Sequence, residues 1–500
     1  MRDLPGSRDA TVLRPHRLRQ LVAYASLLLA MTAAAEPPPE QGFHYEPHVG
    51  FSHDDHHVDL RLEFRYRWED WKAFSPDWED FHGLRTRFGL DYRFRDVFRL
   101  FAQGQQTAVL GLGADASGAG ALYYSNNDQK KNPASVRLSQ LFAELTPIQG
   151  ITLRGGREYV NVGNHVVYEE PNWKFLQNKR MAQRLMGSVD WTNGARAYDG
   201  GTVHAVLDGH HVYAFLNQPT TGVFMVDDES YKFQHDIIDG GLHWTAPRGK
   251  LLKNTQVSAF FMGYSDSRNP QKVAGLFGDI EVYTLGTSLL GVYPLGPGRV
   301  DALLWGAVQV GNYHVEGPTG VIRGRDQLAG AVLAEFGYQL PDVWSKPWLR
   351  VGVNWGSGDG DPDDKSRNTF FNLLPTNHLY YGYTDQLALQ NLIDLLVQLK
   401  LNPIWKLGLE FTYHRFWLQE SSDFRWAGTG AFSRKNLGYT RNASNGSTDV
   451  GHELDVIAVL PVHETLTLQV GFAQLWGGDV FAAQAQSNVS FGYAMLSFKY

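Results

Sequence analysis

From Val58 to Glu69 the chain alternates apolar and charged residues without an error. Val58, Leu60, Leu62, Phe64, Tyr66 and Trp68 fall on one face; Asp59, Arg61, Glu63, Arg65, Arg67 and Glu69 fall on the other. A period of two is a strand, not a helix. A strand with one apolar face and one charged face separates two media. In a soluble sandwich these are core and water; in a membrane barrel they are lipid and an aqueous lumen. One strand does not choose between them.

The rest of the chain does. Leu84 to Phe94 repeats the pattern, with Phe88, Leu90, Tyr92 and Phe94 opposite Arg85, Arg87, Asp91 and Arg93. Further strands are expected near 97–108, 136–146, 150–160, 200–208, 210–218, 235–246, 252–264, 281–294, 298–312, 325–340, 346–357, 387–401, 405–418, 451–462, 464–475 and 489–500, about 18 in all. Short connections with turn chemistry (Arg95-Asp96, Pro147 to Gln149, Asp208-Gly209, Ala246 to Lys250, Pro294 to Gly298, Pro341 to Lys346, Asn402 to Ile404, Pro461 to Glu464) alternate with longer ones. The longer ones are 70–83, 109–135, 161–199, 219–234, 265–280, 313–324, 358–386, 419–450 and 476–488. The expected fold is therefore all-β: a single antiparallel up-and-down transmembrane β-barrel with short periplasmic turns and long external loops. An even strand count puts both termini on the periplasmic side. The last strand agrees, carrying Leu496, Phe498 and a terminal Tyr500 on one face, with Ser497 and Lys499 on the other. Outer-membrane barrels usually end in such an aromatic strand, although a soluble edge strand would alternate in the same way.

Composition removes the competitors. The 500 residues include 14 Trp, 23 Tyr and 28 Phe, too much surface seeking burial for a disordered chain. With no Cys, neither a disulfide scaffold nor a thiolate metal site can form. Beyond the N-terminus no apolar run approaches the roughly 18 residues of a membrane helix. Residues 1–35 read as a secretory signal: Arg14, Arg17 and Arg19 flank an apolar stretch from Leu21 to Met31, and Ala33-Ala34-Ala35 offers a cleavage site. Its removal takes the net charge from −7 to −10. A Pro-rich, then His/Asp-rich lead-in over 36–56 precedes a barrel spanning 57–500. Together these place the chain in the outer membrane of a Gram-negative bacterium, with the lipid bilayer as one partner.

Function then rests on the charges facing the lumen. Arg61, Arg65, Arg67, Arg85, Arg87, Arg93 and Arg99 share the inward face of the first strands, and Arg154 and Arg157 follow. The last two have opposite parity, so both face inward only if Gly155-Gly156 forms a bulge. Arginine stays ionised and presents a fixed fork that matches carboxylates, so a passage lined this way would guide an anion. The plainer alternative is that these arginines brace the wall against Asp59, Glu63, Glu69 and Asp91.

The segment Gly187-Ser188-Val189-Asp190-Trp191-Thr192-Asn193-Gly194-Ala195-Arg196, running on to Asp199-Gly200, follows Gly156-Arg157-Glu158. Later come Gly356 to Asp364, Pro375-Thr376-Asn377-His378, Tyr380-Tyr381-Gly382-Tyr383 and Leu389-Gln390-Asn391-Leu392. Phe416-Trp417-Leu418 and His452-Glu453-Leu454-Asp455 complete the set. In order and spacing these stretches, from about residue 57 to the C-terminus, resemble the alginate export porin family. Glu158 stands where that family's pattern has Gln. The resemblance implies an eighteen-stranded channel whose electropositive constriction passes an anionic uronic-acid polymer. Carried onto this chain, Arg157 and Arg196 become candidate constriction residues, with Asp190 and Asp199 as partners. The plainer reading of 187–200 is a loop that turns into a strand, since Asn-Gly and Asp-Gly are common turn formers.

Asp359, Asp361, Asp363 and Asp364 crowd one loop and would suit calcium, but the EF-hand Gly and Glu are missing, so a charged external loop is the simpler reading. Otherwise no metal or cofactor is expected. His53-Asp54-Asp55-His56-His57 could hold a transition metal and reads more simply as a solvated lead-in. Catalytic motifs are absent, so no enzyme is expected; a barrel hydrolase would have to be built from loop residues such as His378 and Asp385. The expected solute is an anionic polysaccharide or a small anionic solute, with a general or sugar-uptake porin as the alternative. Periplasmic export partners remain open, and no nucleic-acid partner is expected.

Overall fold

The computed structural model describes residues 50–227, 236–267, 279–316, 322–428, 439–484 and 486–500; the expected signal and the Pro-rich spacer lie outside them. Eighteen antiparallel strands follow in chain order: His56–Ala73 (β1), Glu79–Phe94 (β2), Phe98–Leu110 (β3), Ala134–Ile148 (β4), Ile151–Glu158 (β5), Tyr198–Leu207 (β6), His210–Pro219 (β7), Ile237–Thr245 (β8), Thr255–Asp266 (β9), Asp279–Leu295 (β10), Gly298–Glu316 (β11), Ile322–Gln339 (β12), Ser345–Gly356 (β13), Leu392–Asn402 (β14), Gly408–Trp417 (β15), Asp449–Pro461 (β16), Leu466–Gly477 (β17) and Val489–Lys499 (β18). Each pairs with the next, and β1 pairs with β18 from Glu63↔Lys499 to Ala73↔Val489, which closes the barrel. Closure leaves no barrel strand with an unpaired edge.

Burial is inverted relative to a soluble protein. On β2, Phe88 is 62% exposed while Arg85 is 1% exposed. Leu60, Leu90, Leu100, Val136, Leu138 and Leu141 are exposed on the same outer surface. In water, each large apolar side chain left out costs about 1.5–3 kcal/mol; against lipid that cost vanishes. The alternation in β1 and β2 thus separates lipid from lumen and not core from water.

Several boundaries differ from expectation, for local reasons. The first external connection is only 74–78, because β1 runs on to Ala73 with Trp71 facing inward and stacked on Phe491 at 4.0 Å. Likewise 313–324 shortens to 317–321 between β11 and β12. The strand expected from 387 begins at Leu392: Leu387, Ala388 and Leu389 are buried in an external loop, an apolar run that mimics a strand. At the periplasmic end, Asp208 and Gly209 both take positive φ (49° and 76°), the mirror-image turn a tight hairpin needs. The His53 to His57 stretch is a tight turn, with Gly50–His53 paired onto the start of β1.

Two external connections, 159–197 and 357–391, fold into the lumen. The first carries a helical turn at Pro171–Phe175 and a π-helical turn at Leu176–Met181. A bridge between Met186 and Leu374 joins the two loops. Neither loop could be placed by periodicity.

Candidate functional site

The wall formed by β1, β2 and β3 carries seven inward arginines, Arg61, Arg65, Arg67, Arg85, Arg87, Arg93 and Arg99. They face Asp59, Glu63, Glu69 and Asp91 from the wall and Asp190 from the first in-folded loop. Cations are in excess. Near the periplasmic end, Arg61, Arg93 and Arg99 converge on one fully buried carboxylate, Asp91. The side chains of Arg61 and Arg93 remain 47% and 44% exposed.

Higher in the lumen the loop tip Asp190-Trp191-Thr192-Asn193 docks on the same wall. Arg85 and Arg87 donate to the Asp190 carboxylate at 3.0 and 2.7 Å, and both also meet Glu63. Among the described residues Arg65 makes no ion pair; it donates to the carbonyls of Asp190 and Thr192 and to Asn193 Oδ1, at 2.8–2.9 Å. Arg67 donates to the Trp191 carbonyl and lies 4.0 Å over the Trp191 ring. Gly83 makes room for this docking: a Cβ there would stand 2.1 Å from the Asn193 amide. Desolvation inside the barrel pushes the Asp190 carboxyl up, but Arg85, Arg87 and Arg65 outweigh it and hold it far below the usual carboxylate range. Its side chain is nonetheless 52% exposed to the lumen.

The second loop supports the first. His378 stacks on Trp191 at 4.1 Å, and Tyr383 packs against both rings. Glu453 on β16 accepts hydrogen bonds from the Thr384 amide (2.9 Å) and hydroxyl (2.6 Å). Gly382 sits above that carboxylate at φ 86°, where a Cβ would meet it at 2.5 Å, so only glycine fits. Three stretches far apart in sequence (Asp190 to Asn193, Pro375 to Tyr383, and His452 to Asp455) therefore meet in one assembly.

On the opposite side the charge roles reverse. Glu335 on β12 is 0% exposed and takes Arg180 and Arg184 from the first loop at 2.8 and 3.0 Å, with Arg350 of β13 at 2.9 Å. Arg350 also donates to Asp301 on β11. The first loop thus spans the lumen, with its acidic end on one wall and its basic end on the other. Sequence reasoning missed Glu335, Arg180 and Arg184. The available signal was a lone acid within the apolar and small residues of β12.

Several expected site residues need correction. The ladder from Ile151↔Ala205 to Glu158↔Tyr198 is unbroken, so no bulge forms at Gly155-Gly156 and Arg154 and Arg157 keep opposite faces. Arg154 faces inward, donating to Glu144 and Glu158, and Glu158 also accepts from Thr202. Arg157 lies opposite Leu141, an exposed residue of the outer face, and its partner Asp199 shares that face at 2.7 Å, with Val203. This pair therefore does not line the pore. The irregularity lies on β4 instead, at Ser139. Arg196 is 1% exposed and donates to the Leu374 carbonyl between the two loops, so it is no part of a pore surface.

The acidic loop uses its carboxylates on its own backbone: Asp359 accepts from the Asp361 amide, Asp361 from that of Asp363, and Asp364 from that of Ser366. Among the described residues no group of three or more His, Asp or Glu side chains is arranged to hold a metal ion. His378 does meet Asp385, at 2.9 Å, but its buried Nε2 has no hydrogen-bond partner among the described residues.

A closed barrel with an apolar outer surface, a charged lumen and loops folded into it is an outer-membrane channel. The chain belongs to the alginate export family, whose sequence profile matches residues 56–494. Among proteins of curated function, none matches it by sequence. Its fold is similar to solved outer-membrane barrels: OccAB2 of Acinetobacter baumannii (10% identity, TM-score 0.57, 89% of this chain and 98% of that one), the BenF-like porin of Pseudomonas fluorescens Pf-5 (11%, 0.54, 88% and 98%), and OpdK of Pseudomonas aeruginosa solved with vanillate (11%, 0.53, 88% and 98%). The protein resides in the bacterial outer membrane and passes solutes across it; the family and these barrels are channels and not enzymes.

Proposed function

We propose that this channel conducts an anionic, uronate-bearing polysaccharide along the arginine wall of β1, β2 and β3. The observation that carries this is the convergence of Arg61, Arg93 and Arg99 on the single carboxylate of Asp91, with two of the three arginine side chains about half exposed. A guanidinium offers five N–H donors, so one shared carboxylate leaves donors for a passing solute. The solute's carboxylates exchange from one arginine to the next, each contact weak enough to release because it competes with Asp91, Glu63 or Asp190. Membership of the alginate export family supports the same reading.

The test is single-channel recording in a planar bilayer. Reversal potential under a salt gradient gives ion preference; polymannuronate and a neutral glucan are then titrated in turn. Anion selectivity with block by the uronate alone is the expected result. Conductance indifferent to polyuronate would give the pore to a second reading, uptake of small carboxylates. The likeness in fold to a barrel solved with vanillate favours that alternative.

A further inference from the structure

The external mouth contains a cavity of about 450 Å³ that the arginine wall does not account for. Its size lies within the range of small-molecule sites, roughly 300–1,000 Å³. Trp71, Phe74 and Phe224 supply apolar walls, and Arg425, Thr440 and Asn442 face them. Its floor is the 384–386 stretch of the second in-folded loop, whose first residue is fixed by Glu453.

Arg425 differs from most of the buried arginines, although Arg65 and Arg367 likewise make no ion pair among the described residues. Arg85, Arg87, Arg180, Arg184 and Arg350 each meet a carboxylate. Arg425 is 5% exposed, donates from one Nη to the Gln386 carbonyl at 3.0 Å, and has the Phe481 ring 4.5 Å beneath it. Its Nε has no acceptor, and no carboxylate among the described residues lies within ion-pair distance. Two carboxylates also line the cavity, Asp385, which is engaged by His378, and the exposed Asp115. Burial alone pushes the guanidinium down to about 10, so it remains charged at neutral pH. A buried cation without a counter-charge is costly unless something supplies one.

We propose that this cavity is a binding site for a small ring-bearing carboxylate such as a single uronate sugar, with Arg425 as its anion receptor. The guanidinium fork matches a planar carboxylate, and the C–H face of the ring packs on the aromatic wall opposite. The site is separate from the arginine wall of the lumen and does not depend on which polymer the pore conducts.

The test is calorimetric titration of the full-length protein in detergent micelles with glucuronate, and with glucose and sulfate as controls. Wild type, Arg425→Gln, Ala121→Phe and an Arg85→Gln/Arg87→Gln double variant are compared, each first shown folded by gel mobility before and after heating. Ala121 lines the cavity, so the Phe variant fills it while leaving Arg425 in place. One glucuronate per chain should remain bound in the double variant, which removes only contacts with the lumen wall, and this site should be about tenfold or more weaker in Arg425→Gln and Ala121→Phe. Glucose and sulfate should bind far more weakly. Unchanged glucuronate affinity in Arg425→Gln overturns the proposal, as does equal binding of glucose or sulfate. Loss of binding in the double variant alone would place glucuronate on the lumen wall and overturn it too.

Discussion

The two sides of the lumen hold the same loop by opposite means. At β12 the wall supplies the acid and the loop the cations; Glu335 and its three arginines are sealed from solvent. At β1 and β2 the wall supplies the cations and the loop the acid, and Asp190 stays open to the lumen. A sealed cluster cannot exchange partners with a solute, so it can only brace. At the other site Asp190 is half exposed while Arg85 and Arg87 are buried, so a competing carboxylate reaches them by displacing Asp190. The choice between bracing and anion guidance is therefore not one choice for the whole pore.

Breaking the brace should have the largest effect. Glu335→Gln leaves Arg180 and Arg184 buried without their carboxylate, while Arg350 keeps Asp301, a loss of about 3–5 kcal/mol. Urea unfolding in lipid vesicles should show it, together with raised and noisier conductance as the first loop loosens. On the other wall, Arg85→Gln with Arg87→Gln should weaken polyuronate block about tenfold and shift the reversal potential away from anion preference. Unchanged selectivity would mean that this wall braces as well. Asp190→Asn should act in the reverse sense, leaving both arginines with Glu63 as their one carboxylate and strengthening the block several-fold, with a smaller effect on stability.

Protons give a finer separation. A carboxylate whose pKa is depressed on folding contributes stability above its ordinary value, near 4, and loses it only as pH falls from there through the folded value. Asp190 is held far below that range, so conductance should stay flat from pH 7 to about 4.5. A step inside that window would place the gating elsewhere than at Asp190. The smallest effect belongs to Arg157→Gln. Its ion pair faces outward near the external end of a short strand, so selectivity should not change and stability should fall by about 1 kcal/mol or less. A selectivity change there would overturn the outward placement.

Legibility in the sequence followed these same divisions. The Arg61 to Arg99 wall was readable because parity alone assigns an uninterrupted strand to one face. Arg157 was misplaced because a Gly-Gly pair permits a bulge without requiring one, and the partner strands decided the matter. Glu335 was invisible in its role because its partners Arg180 and Arg184 lie in a loop with no periodicity. The family-like stretch at Asp190 to Asn193 could be noticed, but its contacts with Arg65, Arg85 and Arg87 lie more than a hundred positions away.

Alternation, turn chemistry and composition by themselves determined a barrel of about eighteen strands and which face of the first two strands and the last meets lipid. These are local properties: a side chain's face depends on its parity, and a hairpin on the few residues between strands. Only the tertiary structure decided that two external loops enter the lumen, which arginines they engage and which are left exposed. Those outcomes depend on buried polar groups finding partners across the barrel, and one-dimensional spacing does not carry that information.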